Sequence, residues 1–156
     1  MSSALRIWHP FTNATLDPDP IPIVRAEGVF LYTSDGRQII DAISSWWVNL
    51  HGHGNSKIAA AISQQAQKLE HVIMAGFTHE AAEEFAERLR EWAPAPLTHL
   101  FFSDDGSTAV EVALKIAVQH FSNRGRREKC EIVALANGYH GDTAGAMSVS
   151  DDSPFT

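Results

Sequence analysis

The sequence contains very little cysteine and no long apolar run. Cys130 is the single cysteine among 156 residues, which excludes a disulfide framework and favours a reducing compartment. No stretch approaches the roughly 20 apolar residues that a membrane-spanning helix needs. The N-terminus also lacks the charged and apolar regions of a signal peptide. We therefore predict a cytoplasmic protein with no membrane partner.

Basic residues are scarce as well. Lysine and arginine number 12 against 19 aspartates and glutamates, and the formal net charge is −7. Without a basic stripe, a nucleic-acid partner is excluded. The chain is long enough for about one domain with its own core, and 44% of its residues are hydrophobic, which is typical of globular proteins.

Several common catalytic and nucleotide-binding motifs are absent. The sequence has no Gly-Lys-Ser/Thr and no G-x-G-x-x-G, which excludes a P-loop and a dinucleotide fingerprint. It has no G-x-S-x-G nucleophile elbow either. The His-Gly-His segment at 51–53 lacks a third ligand at a recognisable spacing, and zinc needs at least three protein ligands. We predict a flexible turn there, and no metal site.

The segment from Leu100 to Phe121 joins a short apolar run, an Asp-Asp-Gly-Ser-Thr turn and an amphipathic pattern. This order predicts a strand, a turn and a helix. A helix N-terminus is a ready site for a phosphate group, because its backbone N–H groups lack partners. Gly106 lets the backbone come close, and the hydroxyls of Ser107 and Thr108 can donate to phosphate oxygens. Ordinary helix capping favours the same residue types, so the turn alone leaves both interpretations open.

A second loop, Asn-Gly-Tyr-His-Gly-Asp-Thr at 137–143, follows a predicted strand at 131–136. Two strands joined by a helix form a βαβ unit, which predicts a parallel sheet with Cys130 buried at the start of the second strand. Ligands of such sheets bind beyond the carboxyl ends of the strands. Gly106 and Tyr139 are therefore expected to face the same crevice, and this favours a cofactor that carries a phosphate.

The remaining local signals predict a hairpin and two further helices. Ser-Asp-Gly-Arg at 34–37 lies between two apolar runs and is typical of a hairpin turn. Asn55 or Ser56 is expected to cap one helix, and Thr78 another. Glu111 lies within the helix that follows the Gly106 turn, where it can face solvent or a buried partner.

Trp46 and Trp47 are adjacent. If their segment is extended, at most one of the two side chains can face a core. The other then lines a ligand wall or a subunit contact, because exposed tryptophans mark binding surfaces. The alternative is that both straddle a domain boundary and are covered by further sequence.

Four blocks occur in the order of a known family. They read Trp-His-Pro-Phe-Thr at 8–12, Ser-Ser-Trp-Trp at 44–47, Asp-Gly-Ser-Thr-Ala-Val-Glu-Val-Ala at 105–113, and the loop at 137–143. Together they resemble the N-terminal part of the class III aminotransferases, which are fold-type I enzymes that use pyridoxal 5'-phosphate. The first two blocks are similar to those of the family members that act in biotin synthesis. These enzymes transfer the amino group of S-adenosylmethionine to 8-amino-7-oxononanoate, which gives 7,8-diaminononanoate.

The resemblance implies an α/β fold, namely the incomplete αβα large domain of a fold-type I transferase with an N-terminal segment of the small domain. Residues 1–54 would form that segment with its hairpin, and residues 55–156 the truncated start of the cofactor-binding large domain. The family also implies a homodimer when the protein is intact, with small-molecule substrates.

The resemblance further implies roles for particular residues. Gly106 and Ser107 would bind the cofactor phosphate, and Tyr139 would pack near the cofactor ring and meet the substrate. The other residues implied in substrate binding are Trp46, Trp47, Asp142 and Phe11. Many family members have tyrosine where this chain has Phe11, so stacking on the substrate can survive here, but a hydroxyl hydrogen bond cannot.

The resemblance assigns no catalytic residue to this chain. The family's Schiff-base lysine, the aspartate at the pyridine nitrogen and the substrate-binding arginine are all expected C-terminal to residue 156. We therefore expect this chain to be inactive alone. The alternatives are another class III ω-aminotransferase with a different amino donor, and a non-catalytic remnant or interaction module.

Overall fold

The computed structural model describes residues 7–13 and 15–151. The chain divides into two compact units, an N-terminal unit, Met1–Phe77, and a C-terminal unit, Thr78–Thr156. This division follows contacts within the chain, whereas the boundary after residue 54 concerns the domains of the family and stays a prediction.

The N-terminal unit contains a three-stranded antiparallel sheet in the order β1-β2-β3. Its strands are β1 (Ile23–Glu27), β2 (Phe30–Thr33) and β3 (Gln38–Ile40). The predicted hairpin is confirmed as β2–β3, in which Phe30 lies opposite Ile40. The β1 strand is an addition that the sequence analysis did not predict.

Two helical elements follow the sheet. A four-residue turn, α1 (Ser44–Trp47), precedes the longer helix α2 (Ser56–Lys68). The Asn55 side chain accepts hydrogen bonds from the backbone N–H groups of Lys57 at 3.1 Å and Ile58 at 3.3 Å. The cap predicted at this helix is therefore confirmed, with Asn55 as the capping residue.

The C-terminal unit contains α3 (Glu80–Arg90), α4 (Gly106–Asn123) and α5 (Ala144–Ser148). The prediction that Thr78 caps α3 is wrong. The cap is His79, whose Nδ1 accepts from the Ala82 N–H at 3.3 Å. The helix begins one residue later than expected, and the Thr78 hydroxyl donates to the Glu83 carboxylate instead.

The parallel strand pair predicted around α4 is wrong for the residues that the structure describes. Neither 100–102 nor 131–136 is a strand. The three strands that are described pair with one another and offer these segments no partner. A strand needs the backbone groups of a neighbour to satisfy its own. The apolar side chains stay exposed, as in Val133 at 97%. Cys130 is also exposed, so its predicted burial is wrong for the same reason.

Helices α4 and α5 pack against each other, and Ala146 of α5 is fully buried, with 0% of its surface exposed. In the part of the chain that the structure describes, no helix combines the length and apolar character needed to cross a bilayer.

Candidate active site

The N-terminus of α4 is capped by its own sequence. The Asp105 carboxylate accepts a hydrogen bond from the Thr108 N–H at 2.7 Å, and the Thr108 hydroxyl accepts from the Asp105 N–H at 3.0 Å. These two bonds form a capping box. The Thr108 N–H bond is the main reason that the pKa of Asp105 lies below its ordinary value. Ordinary capping thus accounts for Asp105 and Thr108.

Capping does not account for Gly106. Its φ is not positive, so the backbone does not require glycine here. A Cβ placed on Gly106 would meet nothing within 4 Å, so no neighbour among the described residues excludes a side chain. The bare backbone leaves room for a ligand to approach the first turn of an 18-residue helix. The donors available there suit a phosphate group, because the helix N-terminus carries partial positive charge.

The loop at 137–143 lies directly against this turn. Gly141 has a φ of +124°, and a Cβ on it would come within 2.3 Å of the Ser107 side-chain oxygen. Only glycine satisfies both the backbone conformation and the close contact. The structure therefore brings together the two segments in which the sequence analysis placed Gly106 and Tyr139.

A chain of hydroxyl groups joins the loop to α4. Thr143 donates its N–H to the Ser107 oxygen at 2.8 Å and its hydroxyl to the Glu111 carboxylate at 2.9 Å. The Ser107 hydroxyl donates to the Thr143 hydroxyl oxygen at 2.9 Å. Since an ionised carboxylate can only accept, Glu111 fixes the direction of the whole chain of bonds.

Glu111 also caps α5, the helix that begins after Thr143. Its carboxylate accepts from the Gly145 N–H at 3.2 Å and the Ala146 N–H at 2.9 Å, while Thr143 makes no side-chain cap. From the sequence alone, Glu111 could face solvent or a buried partner, and the structure shows it half-buried with partners on α5. The spacing of four residues between Ser107 and Glu111, which puts both on one helix face, was the available signal.

Tyr139 and Asp142 form the exposed part of the same loop. The Tyr139 side chain remains 63% exposed. A hydrogen bond to the Asp142 carboxylate is the main cause that raises the pKa of the Tyr139 hydroxyl above its ordinary value. The phenol therefore stays protonated at neutral pH. The other end of the loop is held by Asp151, which accepts from the Asn137 N–H at 2.6 Å.

The second group of predicted site residues lies in the N-terminal unit, on the turn α1. All four residues from Ser44 to Trp47 have positive φ, with values of 51°, 47°, 64° and 69°. The φ/ψ pairs of Ser45 (47°, 58°) and Trp46 (64°, 45°) are those of a left-handed helix. This conformation costs roughly 1–2 kcal/mol per residue with a side chain, so α1 needs support from its surroundings.

The aromatic side chains of α1 are exposed and stacked. Trp46 is 61% and Trp47 is 71% exposed, so neither faces a core in the residues described. Phe11 stacks on Trp46 with ring centroids 5.8 Å apart and planes 4° apart. The Trp46 and Trp47 rings lie 5.9 Å apart at 49°. Phe11, Trp46 and Trp47, all predicted to meet the substrate, thus form one aromatic cluster.

A nearly buried contact between Asp41 and His53 lies beneath this turn. The Asp41 carboxylate lies 2.8 Å from the His53 Nε2 atom, and the two side chains are 5% and 14% exposed. The Ser45 hydroxyl donates to the same carboxylate at 2.7 Å. Hydrogen bonds from Ser45, its backbone N–H first, and then from His53 lower the pKa of Asp41 to about 2.

The segment at 51–53 is therefore more than the flexible turn that its glycines predicted. His53 and Gly28 exchange backbone hydrogen bonds of 2.8 and 2.9 Å. A Cβ on Gly52 would lie 3.1 Å from the Gly28 carbonyl oxygen. No periodicity in the sequence links Asp41 to His53, which is why the pair was missed.

A helix N-terminus that carries hydroxyl side chains and is open at Gly106 has the chemistry of an anion-binding site. The class is shown by the family comparison: the sequence family Aminotransferase class-III matches residues 12–155, and the chain belongs to that family. The predicted family membership is confirmed.

Comparison with individual relatives points to one kind of aminotransferase within the family. The chain is 53% identical, over 99% of its length, to adenosylmethionine-8-amino-7-oxononanoate aminotransferase of Synechococcus elongatus, and covers 36% of that protein. It is 44% identical, over 92% of its length, to the protein of the same name from Anoxybacillus flavithermus, and covers 32% of it. The chain thus spans about a third of the length of these relatives.

Solved structures agree with the sequence matches. The chain superposes on adenosylmethionine-8-amino-7-oxononanoate aminotransferase of Methanocaldococcus jannaschii with a TM-score of 0.87 and 39% identity, covering 93% of this chain and 34% of that one. It superposes on the ω-transaminase of Pseudomonas jessenii in complex with PMP with a TM-score of 0.85 and 31% identity. That match covers 92% of this chain and 32% of the transaminase chain. The predicted fold class, the N-terminal part of an α/β pyridoxal-phosphate transferase, is confirmed.

Proposed function

We propose that this chain is the N-terminal part of an enzyme that transfers the amino group of S-adenosylmethionine to 8-amino-7-oxononanoate. The observation that carries the proposal is the 53% identity, over 99% of the chain, to a relative named for that reaction. The Trp-His-Pro-Phe-Thr and Ser-Ser-Trp-Trp blocks support it, because Phe11 of the first block and Trp46 and Trp47 of the second form one exposed cluster.

The cofactor would be pyridoxal 5'-phosphate, which acts as an electron sink during amino transfer. The N–H groups at Gly106 and Ser107 would hold its phosphate, and the Ser107 hydroxyl would add a further donor. For that, the Ser107 proton must turn away from the Thr143 oxygen, while the Thr143 N–H continues to hold Ser107 in place. The open space at Gly106 supports this assignment.

Tyr139 and Asp142 would orient the reacting groups. Because Asp142 raises the pKa of the Tyr139 hydroxyl, Tyr139 would stay neutral, and its oxygen would accept a hydrogen bond from a reacting group while its own proton is donated to Asp142. Its exposed ring would pack beside the flat cofactor ring. The stacked Phe11, Trp46 and Trp47 rings would contact apolar carbon chains and the adenine of the amino donor. We further propose a cytoplasmic homodimer, as the family implies.

The proposal is tested with the full-length protein expressed from its natural reading frame. Purified protein is incubated with pyridoxal phosphate, 8-amino-7-oxononanoate and a single amino donor, and 7,8-diaminononanoate is measured by mass spectrometry. We expect product with S-adenosylmethionine and none without a donor. Absence of product with every donor contradicts the proposal.

A second candidate is an ω-aminotransferase with a different amino donor. It is favoured by the TM-score of 0.85 to the ω-transaminase of Pseudomonas jessenii, which is close to the TM-score of 0.87 to the adenosylmethionine-8-amino-7-oxononanoate aminotransferase of Methanocaldococcus jannaschii. Amino transfer from simple amines or amino acids, but not from S-adenosylmethionine, supports this alternative.

A further inference from the structure

The left-handed turn α1 presents Trp46 and Trp47 in a conformation that its own residues disfavour. None of the four residues from Ser44 to Trp47 is glycine, and all have positive φ. Three backbone bonds close the turn: the Trp47 N–H donates to the Ile43 carbonyl oxygen at 2.8 Å, and the Val48 and Asn49 N–H groups both donate to the Ser44 carbonyl oxygen at 3.0 Å. A right-handed turn can form the same kind of bonds, so these bonds do not explain the handedness.

The Asp41 carboxylate provides contacts that can hold α1 in its left-handed form. It binds the second residue of α1 through the Ser45 hydroxyl and N–H. Its other contact, with His53 Nε2 at 2.8 Å, comes from a different part of the chain. His53 itself is fixed by its backbone bonds to Gly28 at the turn between β1 and β2. Asp41 therefore links α1 to the sheet.

We propose that Asp41 and His53 are positioning residues, which hold α1 in its left-handed form and so determine where the Trp46 ring meets the substrate. The proposal rests on the proposed function, in which Trp46 and Trp47 contact the substrate. Neither Asp41 nor His53 has to touch the substrate for this role.

The main test replaces His53 in the full-length protein. The near-UV circular dichroism that is lost in Trp46→Phe defines the signal of the ordered Trp46 ring. Removing one hydrogen bond to a charged group shifts a conformational equilibrium roughly tenfold. In His53→Ala we therefore expect a loss of that signal equal to the fraction of α1 that leaves the left-handed form. The KM for the amino acceptor should rise by the same factor by which the signal falls while kcat changes little, because only the competent fraction of α1 binds.

The matched control is His51→Ala. His51 has the same side chain in the same segment and is exposed, so both the Trp46 signal and KM should stay at wild-type values. His53→Gln is the conservative variant, since its amide N–H can donate to Asp41 from nearly the same place. It should retain the signal, and it carries the test if His53→Ala proves insoluble.

Rescue separates positioning from general stability. Glycine adopts positive φ without the penalty of a Cβ, and Ser44 has a φ of 51°. Ser44→Gly in the His53→Ala background should recover at least half of both the Trp46 signal and the loss in KM. A variant that was merely less stable would gain nothing from a more flexible turn.

The proposal is overturned if soluble His53→Ala keeps the wild-type signal and KM. It is also overturned if Ser44→Gly leaves the losses in His53→Ala unchanged. If His53→Ala is insoluble, loss of the Trp46 signal in His53→Gln overturns the proposal. The spectra decide this question even if the protein uses no amino donor at all. An inactive wild-type protein with the expected spectra refutes the proposed function alone, and an active one with unaltered variant spectra refutes the positioning role alone.

Discussion

The two units each use one carboxylate to hold a short helical element, but the elements differ in what they need. In the C-terminal unit, Glu111 binds the N-terminus of α5, whose backbone is an ordinary right-handed helix that lacks only a cap. In the N-terminal unit, Asp41 binds α1, whose backbone is left-handed throughout. One carboxylate completes a favourable structure, whereas the other supports an unfavourable one.

This difference indicates where each unit is vulnerable. Loss of Glu111 leaves α5 with unpaired N–H groups but with an allowed backbone, so we expect mainly a lower free energy of unfolding. Loss of the Asp41 contacts leaves α1 with a backbone conformation that is less favourable than a right-handed turn, so we expect mainly a change in the conformation of α1. Substitutions in each unit should separate these two responses.

The largest effect is expected where the loop touches α4. Gly141→Ala combines a positive φ of +124° with a Cβ 2.3 Å from the Ser107 oxygen, and should destabilise the full-length protein by about 3 kcal/mol. The urea midpoint measures this change. Gly125→Ala is the matched control, because its φ is +75° but its Cβ meets nothing within 4 Å. It should cost about 1 kcal/mol, and equal losses in the two variants would contradict a close contact at Gly141.

Removing the cap of α5 comes next. Glu111→Ala leaves the N–H groups of Gly145 and Ala146 without their acceptor, which should cost about 2 kcal/mol. Hydrogen exchange at the Ala146 amide should accelerate accordingly. Glu84→Ala, which breaks only an exposed pair with Arg88, should cost less than about 0.5 kcal/mol. Unchanged exchange at Ala146 in Glu111→Ala would show that the cap is unimportant.

Acid should affect α1 in a defined window of pH. The pKa of Asp41 is lowered from 3.8 to about 2, so its stabilising effect is fully present above about pH 4 and is lost as the pH falls through about 2. The Trp46 signal in near-UV circular dichroism should fall in that window. In Asp41→Asn it should already be reduced at pH 7 and should not titrate there. An identical acid transition in both proteins would assign the change to other groups.

The smallest effect is expected for the aromatic stack. Phe11→Leu removes the ring whose centroid lies 5.8 Å from that of Trp46. The loss of this stacking should destabilise the ordered aromatic cluster by about 1 kcal/mol. Trp46 emission should shift and its quenching by acrylamide should increase. Phe77→Leu, another exposed phenylalanine of the N-terminal unit, should leave both unchanged. Equal quenching in the two variants would argue against the stack.

The sequence predicted the features that depend on nearby residues. The Asn55 cap, the hairpin at Gly36 and the helix after Gly106 follow from propensity and spacing, and the structure contains all three. The prediction for Thr78 failed by one residue, because the imidazole of His79 also serves as a cap acceptor. Such errors are expected at helix ends.

The features that depend on distant residues were not predictable in the same way. The strands expected beside α4 need neighbouring strands, and pairing is not encoded within the segments themselves. The handedness of α1 depends on Asp41 and His53, which lie outside its own sequence. Glu111 was visible as a residue, but its partners on α5 lie more than 30 positions away.

Gly106 has a consequence for how this region tolerates mutation. Within residues 7–13 and 15–151, no atom forbids a larger residue at that position, so a library of variants selected only for folding should accept many side chains at 106. Under the proposed function, the same library selected for growth without biotin should keep glycine at 106 almost exclusively. Position 141 should return glycine in both selections, because Ser107 excludes a side chain there. Comparing the two selections would distinguish a residue kept for a ligand from one kept for the fold.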